Sequence, residues 1–388
     1  MDFTFAPEHV ALRKMLREFA EEEVRPLAKV IDREHRVPWE TLKKAAKIGL
    51  LGVPFPQKYG GMGAGETGYC IAMEEIGRAC TSTITNIGAH IGIAAMAIYL
   101  DGTEAQKQKY LVPLASGEKI GAFGLTESNA GSDAATIRTR AVREGDSYIL
   151  DGSKIYITNG PIAGICSILA MTDPTLGARG GVTAFIVETE WEGFKIGTHE
   201  NKMGIRGSST CELIFDNLRV PQENVLGKVG LGFVTFMKTL DYGRASLGAG
   251  CLGGAEAALE AAMQWAKARN QFGTYIAAKQ SIQWMVADMA CEVEALRSLV
   301  YRTAWLIDSG RPFSREAAMC KLYGSEVASR AINKALQIHG ALGYSGDFHI
   351  ERGWRDARIA EIFEGTNEIQ RIVIASDLFQ QIGVRIRS

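Results

Sequence analysis

The run Tyr148-Ile149-Leu150-Asp151-Gly152-Ser153-Lys154-Ile155-Tyr156-Ile157 decides the fold, because here a helical apolar rhythm gives way to β-branched and aromatic residues around an Asp-Gly pair. Similar short runs, Cys166 to Met171, Val182 to Val187 and Cys211 to Val220, occupy the stretch from about Lys119 to Gly227, with breaks at Asp151-Gly152, Asn159-Gly160 and Gly180-Gly181. Short strands with tight turns predict a small barrel or sandwich. On the N-terminal side, Val10, Leu12, Met15, Leu16, Phe19 and Ala20 recur at helical spacing opposite Glu21, Glu22 and Glu23, and Pro26 is placed to kink that helix. Further helices are predicted over Trp39 to Ile48, Glu66 to Arg78, Thr83 to Leu100 and Glu104 to Leu114, around the turn Tyr59-Gly60-Gly61-Met62-Gly63. Beyond Gly232 four long helices are predicted, Phe233 to Ala268, Ala277 to Ser309, Ser314 to His339 and Glu368 to Ile382, enough for a bundle.

Composition narrows the function. With 388 residues, 46% of them hydrophobic, the chain can bury two or three cores. Its 43 Lys and Arg against 44 Asp and Glu leave no basic footprint for nucleic acid. Met1-Asp2-Phe3-Thr4-Phe5 does not read as an export signal, and Ile91 to Leu100 is half of a bilayer-spanning length, so a soluble, cytoplasmic protein is expected. Seven scattered cysteines, never closer than ten apart, predict reduced thiols. None of the six histidines follows a Glu by three residues or pairs with another on one helical turn, so no metal is expected.

Three segments could carry chemistry. Gly248-Ala249-Gly250-Cys251-Leu252-Gly253 fits a dinucleotide-binding fingerprint by letter, but it follows no strand and reads as close helix packing. Ala122 through Asp133 leaves a strand and gathers Thr126, Ser128, Asn129, Gly131 and Ser132 in one turn; this is either an ordinary polar turn or a cradle for phosphate or a heterocycle edge. Glu364 stands between Phe363 and Gly365, ahead of a helix that Thr366 can cap. It is either a solvated carboxylate at a helix boundary or one whose pKa is raised beside the ring, as a general base near neutral pH requires.

Together these segments resemble the acyl-CoA dehydrogenases. The resemblance runs nearly the whole chain in order: the N-terminal helices, Leu125-Thr126-Glu127 through Gly131-Ser132-Asp133, Tyr156-Ile157-Thr158-Asn159-Gly160, Arg269-Asn270-Gln271-Phe272-Gly273, Gln337-Ile338-His339-Gly340-Ala341-Leu342-Gly343-Tyr344 and Glu364-Gly365-Thr366. It implies an α+β fold, with an N-terminal α-helical domain (1–118), a middle β domain, barrel or sandwich (119–228), and a C-terminal four-helix bundle (229–388). It also implies FAD shared across a dimer interface, in a tetramer of two dimers. By motif, Phe123, Leu125, Thr126, Ser132, Tyr156 and Thr158 would line the isoalloxazine and pyrophosphate, and Thr366 and Glu368 would close the site from the same chain. Arg269, Phe272, Gln280, Gln337 and Gly340 would come from the neighbouring subunit.

The implied reaction is α,β-dehydrogenation of an acyl-CoA thioester, with Glu364 removing the α-proton, the β-hydrogen leaving as hydride to the flavin, and electron-transferring flavoprotein reoxidising the cofactor. Gly365 would let the thioester approach; Ser132, Asp241, Tyr242 and Arg244 would hold the substrate and brace the site. Some relatives carry the base where Gly243 stands here, which leaves Glu364 as the candidate. Ser128-Asn129 and Ala341 depart mildly from the family pattern, and His339 is read as structural. Glutaryl-specific members place an Arg near Ile84; Thr81 to Leu100 has no Lys or Arg, and Gly88, Gly92, Ala94 and Ala95 remove bulk, so a neutral short, branched or alicyclic acyl group is expected. The same small residues could instead serve close helix packing, and Thr85, Asn86 or His90 could meet a polar tail. The alternatives are an acyl-CoA oxidase, an enoyl-CoA reductase, or a catalytically silent acyl-CoA-binding scaffold. The C-terminal Arg385-Ile386-Arg387-Ser388 is not a peroxisomal address.

Overall fold

A computed structural model describes residues 4–384; Met1 to Phe3 and the C-terminal Arg385-Ile386-Arg387-Ser388 lie outside the described residues. Helices, then strands, then helices follow one another as expected. The first helix, Pro7–Phe19, passes through a π turn (Ala20–Val24) and a 3₁₀ turn (Arg25–Leu27) into Ala28–Glu34. Pro26, which cannot donate to the helical ladder, sits inside the 3₁₀ turn. Thr81–Asp101 is long and apolar enough by composition to cross a membrane, more than the Ile91 to Leu100 stretch suggested, but 72% of its most apolar window is buried within the fold. It is a core helix.

Between the helical regions run β1 (Gly121–Gly124), β2 (Arg140–Glu144), β3 (Ser147–Thr158), β4 (Ile165–Met171), β5 (Val182–Glu188), β6 (Phe194–His199), β7 (Thr210–Pro221) and β8 (Val225–Leu226). They form one sheet of order β6-β7-β3-β2-β4-β5-β8, with β1 parallel to β4. In a flat sheet β3 and β5 would lie about 14 Å apart, at about 4.8 Å per strand. Tyr148 of β3 and Phe185 of β5 nevertheless meet edge to face at 5.1 Å, and both join one apolar cluster with Leu150, Ile168 and Leu213. The sheet therefore doubles over into a sandwich. Asp151-Gly152, expected to break the strand, lies inside β3 opposite a bulge in β7: Leu150 pairs with Leu218 and Gly152 with Phe215, so Asp216 and Asn217 together face Asp151. Gly152 has φ +141°, and a Cβ there would stand 2.8 Å from the Thr139 backbone.

The four long C-terminal helices are Gly232–Ala268, Gln280–Asp308, Ser314–His339 and Asn367–Gln381. The short helix His349–Ala357 was not anticipated, since it buries only Ile350 and Asp356 and carries Gly353 inside. Gly248, Gly250 and Gly253 all fall in the helix Gly232–Ala268, as the packing reading requires. A Cβ on Gly253 would lie 2.1 Å from the carbonyl oxygen of Glu74, and one on Gly77 2.9 Å from that of Gly250. The helix Gly65–Gly77 thus rests directly on the long C-terminal helix. Charges reinforce the joint: Asp308 accepts the backbone N–H groups of Glu66 (2.7 Å) and Thr67 (2.9 Å), while buried Glu74 binds Arg13 at 2.9 Å and also Arg297 and Tyr301.

Two adjacent glycines test this contact. Gly253→Ala must displace backbone and is expected to destabilise by about 2–3 kcal/mol. Gly254→Ala, which meets nothing within 4 Å, should be neutral or stabilising by up to about 1 kcal/mol through helix propensity. Urea denaturation of the FAD-loaded protein compares the pair; equal effects would refute the close-contact explanation.

Candidate active site

Where the sheet meets the two helical regions there is a cavity of about 630 Å³. Glu364 reaches it from the link between Arg358–Glu361 and the helix Asn367–Gln381. Its backbone holds φ +54°, a conformation costly for a residue with a side chain. Three contacts offset that cost: Arg244 Nε donates to the Glu364 carbonyl (3.3 Å), Gln370 Nε2 donates to the Glu364 (3.3 Å) and Gly365 (3.0 Å) carbonyls, and Thr366 caps the next helix through the Ile369 N–H. Arg244 is itself fixed by Asp241 at 2.7 Å, and Ser314 donates to the other Asp241 oxygen.

The Oε2 of Glu364 is out of water and has no hydrogen-bond partner. Burial raises its pKa to about 7, against the pull of Arg244 and Lys321. A Cβ on Gly243 would stand 2.8 Å from this Oε2. The two positions from which a base could act therefore point at the same place.

The opposite wall is built by β1, β3 and the turn between β1 and β2. Phe123 stacks on Phe236 at 4.0 Å. The turn is pinned by Glu127, which accepts from Lys154 Nζ (2.7 Å) and from the backbone N–H groups of Arg138 (2.6 Å) and Thr139 (3.0 Å); Lys154 also donates to the Leu125 carbonyl (3.2 Å). Neither residue of this buried ion pair was singled out from the sequence, although Lys154 shares the inward-facing register of Leu150 along β3. Thr126, Ser132 and Thr158 bring hydroxyls to the cavity, and Leu125 and Ile157 bring apolar surface. Tyr156 lines the mouth with φ +59° and 61% of its surface exposed, an aromatic held in a strained conformation facing the cavity. An apolar slot with hydroxyl donors at its rim and an open aromatic face suits a flat isoalloxazine and its pyrophosphate.

Of the other residues read from the sequence, Gly365 and Thr366 line the cavity, Asp241 and Tyr242 stand behind it, and Glu368 is exposed on the first turn of the last helix. Arg269, Phe272, Gln280, Gln337 and Gly340 are all exposed and do not line the cavity; Phe272 is 92% exposed. Lys321, Asn367, Gln370 and Met73 were missed, because helical spacing marks them as ordinary core or surface positions.

The acyl-end expectations need correction. Asn86, which donates to the Gly207 carbonyl, and His90, which bonds the Leu114 carbonyl and the Gly121 N–H, are buried and do not line the cavity. Cβ atoms on Gly88 and Gly92 would meet Met73 Cε at 3.1 Å and Tyr69 Oη at 2.8 Å. Gly92 makes room for the packed Tyr69 side chain, whereas Gly88 lines the cavity beside Met73. Ala94 and Ala95 are absent from the cavity wall.

Comparison with known proteins agrees with this geometry. Residues 6–118, 122–218 and 230–379 match the N-terminal, middle and C-terminal domains of acyl-CoA dehydrogenases. The chain is 48% identical to a short-chain specific acyl-CoA dehydrogenase of Clostridium acetobutylicum, over 98% of this chain and 100% of that one. It is 46% identical to an NADH acryloyl-CoA reductase of Anaerotignum propionicum, over 98% and 97%. Among solved structures, butyryl-CoA dehydrogenase from Megasphaera elsdenii superposes with a TM-score of 0.96 at 42% identity, over 98% and 100%. A chain solved in work on the electron transferring flavoprotein of Acidaminococcus fermentans gives 0.96 at 45%, also over 98% and 100%. The chain belongs to the acyl-CoA dehydrogenase family. It is an FAD-dependent oxidoreductase acting on a CH–CH bond.

Burial of Glu364 has a thermodynamic signature. Its folded-state pKa of about 7 exceeds the ordinary 4.5, so between these values the folded protein binds more protons than the unfolded chain, and stability falls as pH rises. Relative to Glu364→Gln, the wild-type protein should lose roughly 2 kcal/mol between pH 5 and 8. Parallel denaturation curves at both pH values check this; a constant difference would mean that the carboxylate is solvated.

Proposed function

We propose that the protein dehydrogenates a neutral short-chain acyl-CoA at its α,β bond, with Glu364 as the base. The observation that carries this reading is the buried, unpartnered carboxyl of Glu364 at the cavity wall, with a pKa near 7. A proton α to a thioester is weakly acidic, so its removal needs a base that is both desolvated and ionised near neutral pH. Arg244 and Gln370 fix the carbonyl of that base, which holds its side chain to one direction. FAD, held by Leu125, Thr126, Ser132, Tyr156, Thr158 and Thr366, supplies the two-electron acceptor.

Met73 and Tyr69 fill the space beside Gly88 and Gly92, which favours a short acyl group. Thr81, Ile84, Thr85, Gly88, Ala89 and Ile93, which line that part of the wall, include no cation for a distal carboxylate. Electron-transferring flavoprotein is the proposed acceptor, in keeping with the Acidaminococcus relative. A second reading, reduction of an enoyl-CoA with Glu364 returning the proton, draws on the similarity to acryloyl-CoA reductase.

Anaerobic bleaching of the flavin tests the proposal. Glu364→Gln should retain FAD and bind acyl-CoA, but bleach about four orders of magnitude more slowly. The wild-type rate should rise with pH through about 7, as the base ionises. Butyryl-CoA should outpace glutaryl-CoA; the reverse order would overturn the assignment of the pocket.

The exposed group of Arg269, Phe272, Gln280, Gln337 and Gly340 is proposed to complete the FAD site of a neighbouring subunit, within a dimer of dimers. Arg269→Glu should then release FAD and weaken the dimer, through lost pairing with the pyrophosphate and like-charge repulsion. A monomer that holds one FAD per chain by light scattering and absorbance would exclude the shared site.

A further inference from the structure

Lys321 is a buried cation to which the mechanism gives no part. It lies on the helix Ser314–His339 with no exposed surface, and its Nζ donates to Asn367 Oδ1 at 2.8 Å. An ammonium has three donors and is costly to bury, so apolar packing alone does not explain its presence. Ser325 Oγ donates to the same Asn367 oxygen at 3.1 Å. Asn367 lies three residues beyond Glu364, in the segment whose carbonyls Arg244 and Gln370 hold. The lysine is thus tied to the chain segment that carries the base, from the side of the bundle.

We infer that Lys321 is a positioning residue for Glu364, holding through its Asn367-anchored ammonium the segment that carries the base and presenting to it a second positive charge beside that of Arg244. The inference rests on the reading of Glu364 as the base. Arg244 and Lys321 act on Glu364, Tyr69 from the helix Gly65–Gly77 and Cys251 from the long helix also face it, Asp241 pairs with Arg244, and Glu361 from the preceding turn acts on Lys321. Burial holds Tyr69 and Cys251 in their neutral forms. Arg244, the stronger of the two cations acting on Glu364, is paired with Asp241 at 2.7 Å. Lys321 donates to an amide, and Glu361 is the further carboxylate that acts on it. Burial lowers its pKa to about 8 and raises that of Glu364 to about 7, so the two are oppositely charged between these values.

The test is an infrared pH titration of the FAD-loaded protein, following the protonated-carboxyl band that Glu364→Gln abolishes. In Lys321→Gln, and independently in Lys321→Met, the midpoint of that band should rise by about one pH unit, while Lys321→Arg keeps it near wild type. Flavin bleaching by butyryl-CoA should follow: the neutral variants should be about fivefold slower at pH 7 and converge on the wild-type rate at about pH 9 and above. A midpoint that does not move in either neutral variant, with FAD content intact, or a rate loss that is uniform across pH, would overturn the inference. Normal bleaching by Glu364→Gln would instead overturn the base assignment, so the two failures are distinguishable.

Discussion

A carboxyl group has to be kept away from water and still be able to ionise, and much of the structure follows from that constraint. Desolvation alone would hold Glu364 protonated; full solvation would make it too weak a base. The cavity wall sits between these limits. The sheet and two sets of helices exclude solvent, while Arg244 and Lys321 return part of the lost stabilisation of the anion. The strained backbone at Glu364 belongs to the same compromise, since an unstrained link would not need the Arg244 and Gln370 contacts that fix its direction.

Such a site requires stiff surroundings. The helix Gly65–Gly77 is held against the long C-terminal helix by glycines that admit no side chain, and it is capped by Asp308 from a different helix. Buried Glu74 gathers Arg13, Arg297 and Tyr301 from two further helices. Removing one partner from a buried network of this kind leaves a charge uncompensated, which costs far more than the loss of a surface pair. The N-terminal helices and the bundle therefore behave as one support for the base, with the sheet supplying the opposite wall.

Much of this was legible in the sequence, for identifiable reasons. Periodicity marks helices and strands because one face of each is buried, and the four long C-terminal helices and the main strands follow that rule. Asp151-Gly152 misled because the same pair can close a turn or run on within a strand, and here it runs on opposite a bulge in the partner strand. Helix His349–Ala357 escaped because it buries few apolar residues. Glu364 could be singled out by its Phe and Gly neighbours, whereas Lys321, Lys154 and Glu127 could not: a buried charge is defined by partners distant in sequence. The small residues of Thr81–Asp101 were ambiguous for a similar reason, since only the positions of Tyr69 and Met73 show what fills the space beside Gly88 and Gly92.

The contact between position 243 and the Glu364 carboxylate also bears on how such enzymes diverge. A Cβ at position 243 would already lie 2.8 Å from Oε2, so a carboxylate there and one at position 364 compete for a single volume and repel each other. With Glu364 as the proposed base, a lineage that gained a carboxylate at position 243 first would meet a clash, and one that lost Glu364 first would lack a base. Relocating the base is therefore a change in which each substitution is harmful alone and tolerated only with the other. A glycine with no part in the chemistry thereby restricts the order of mutation by which the active site could be rebuilt.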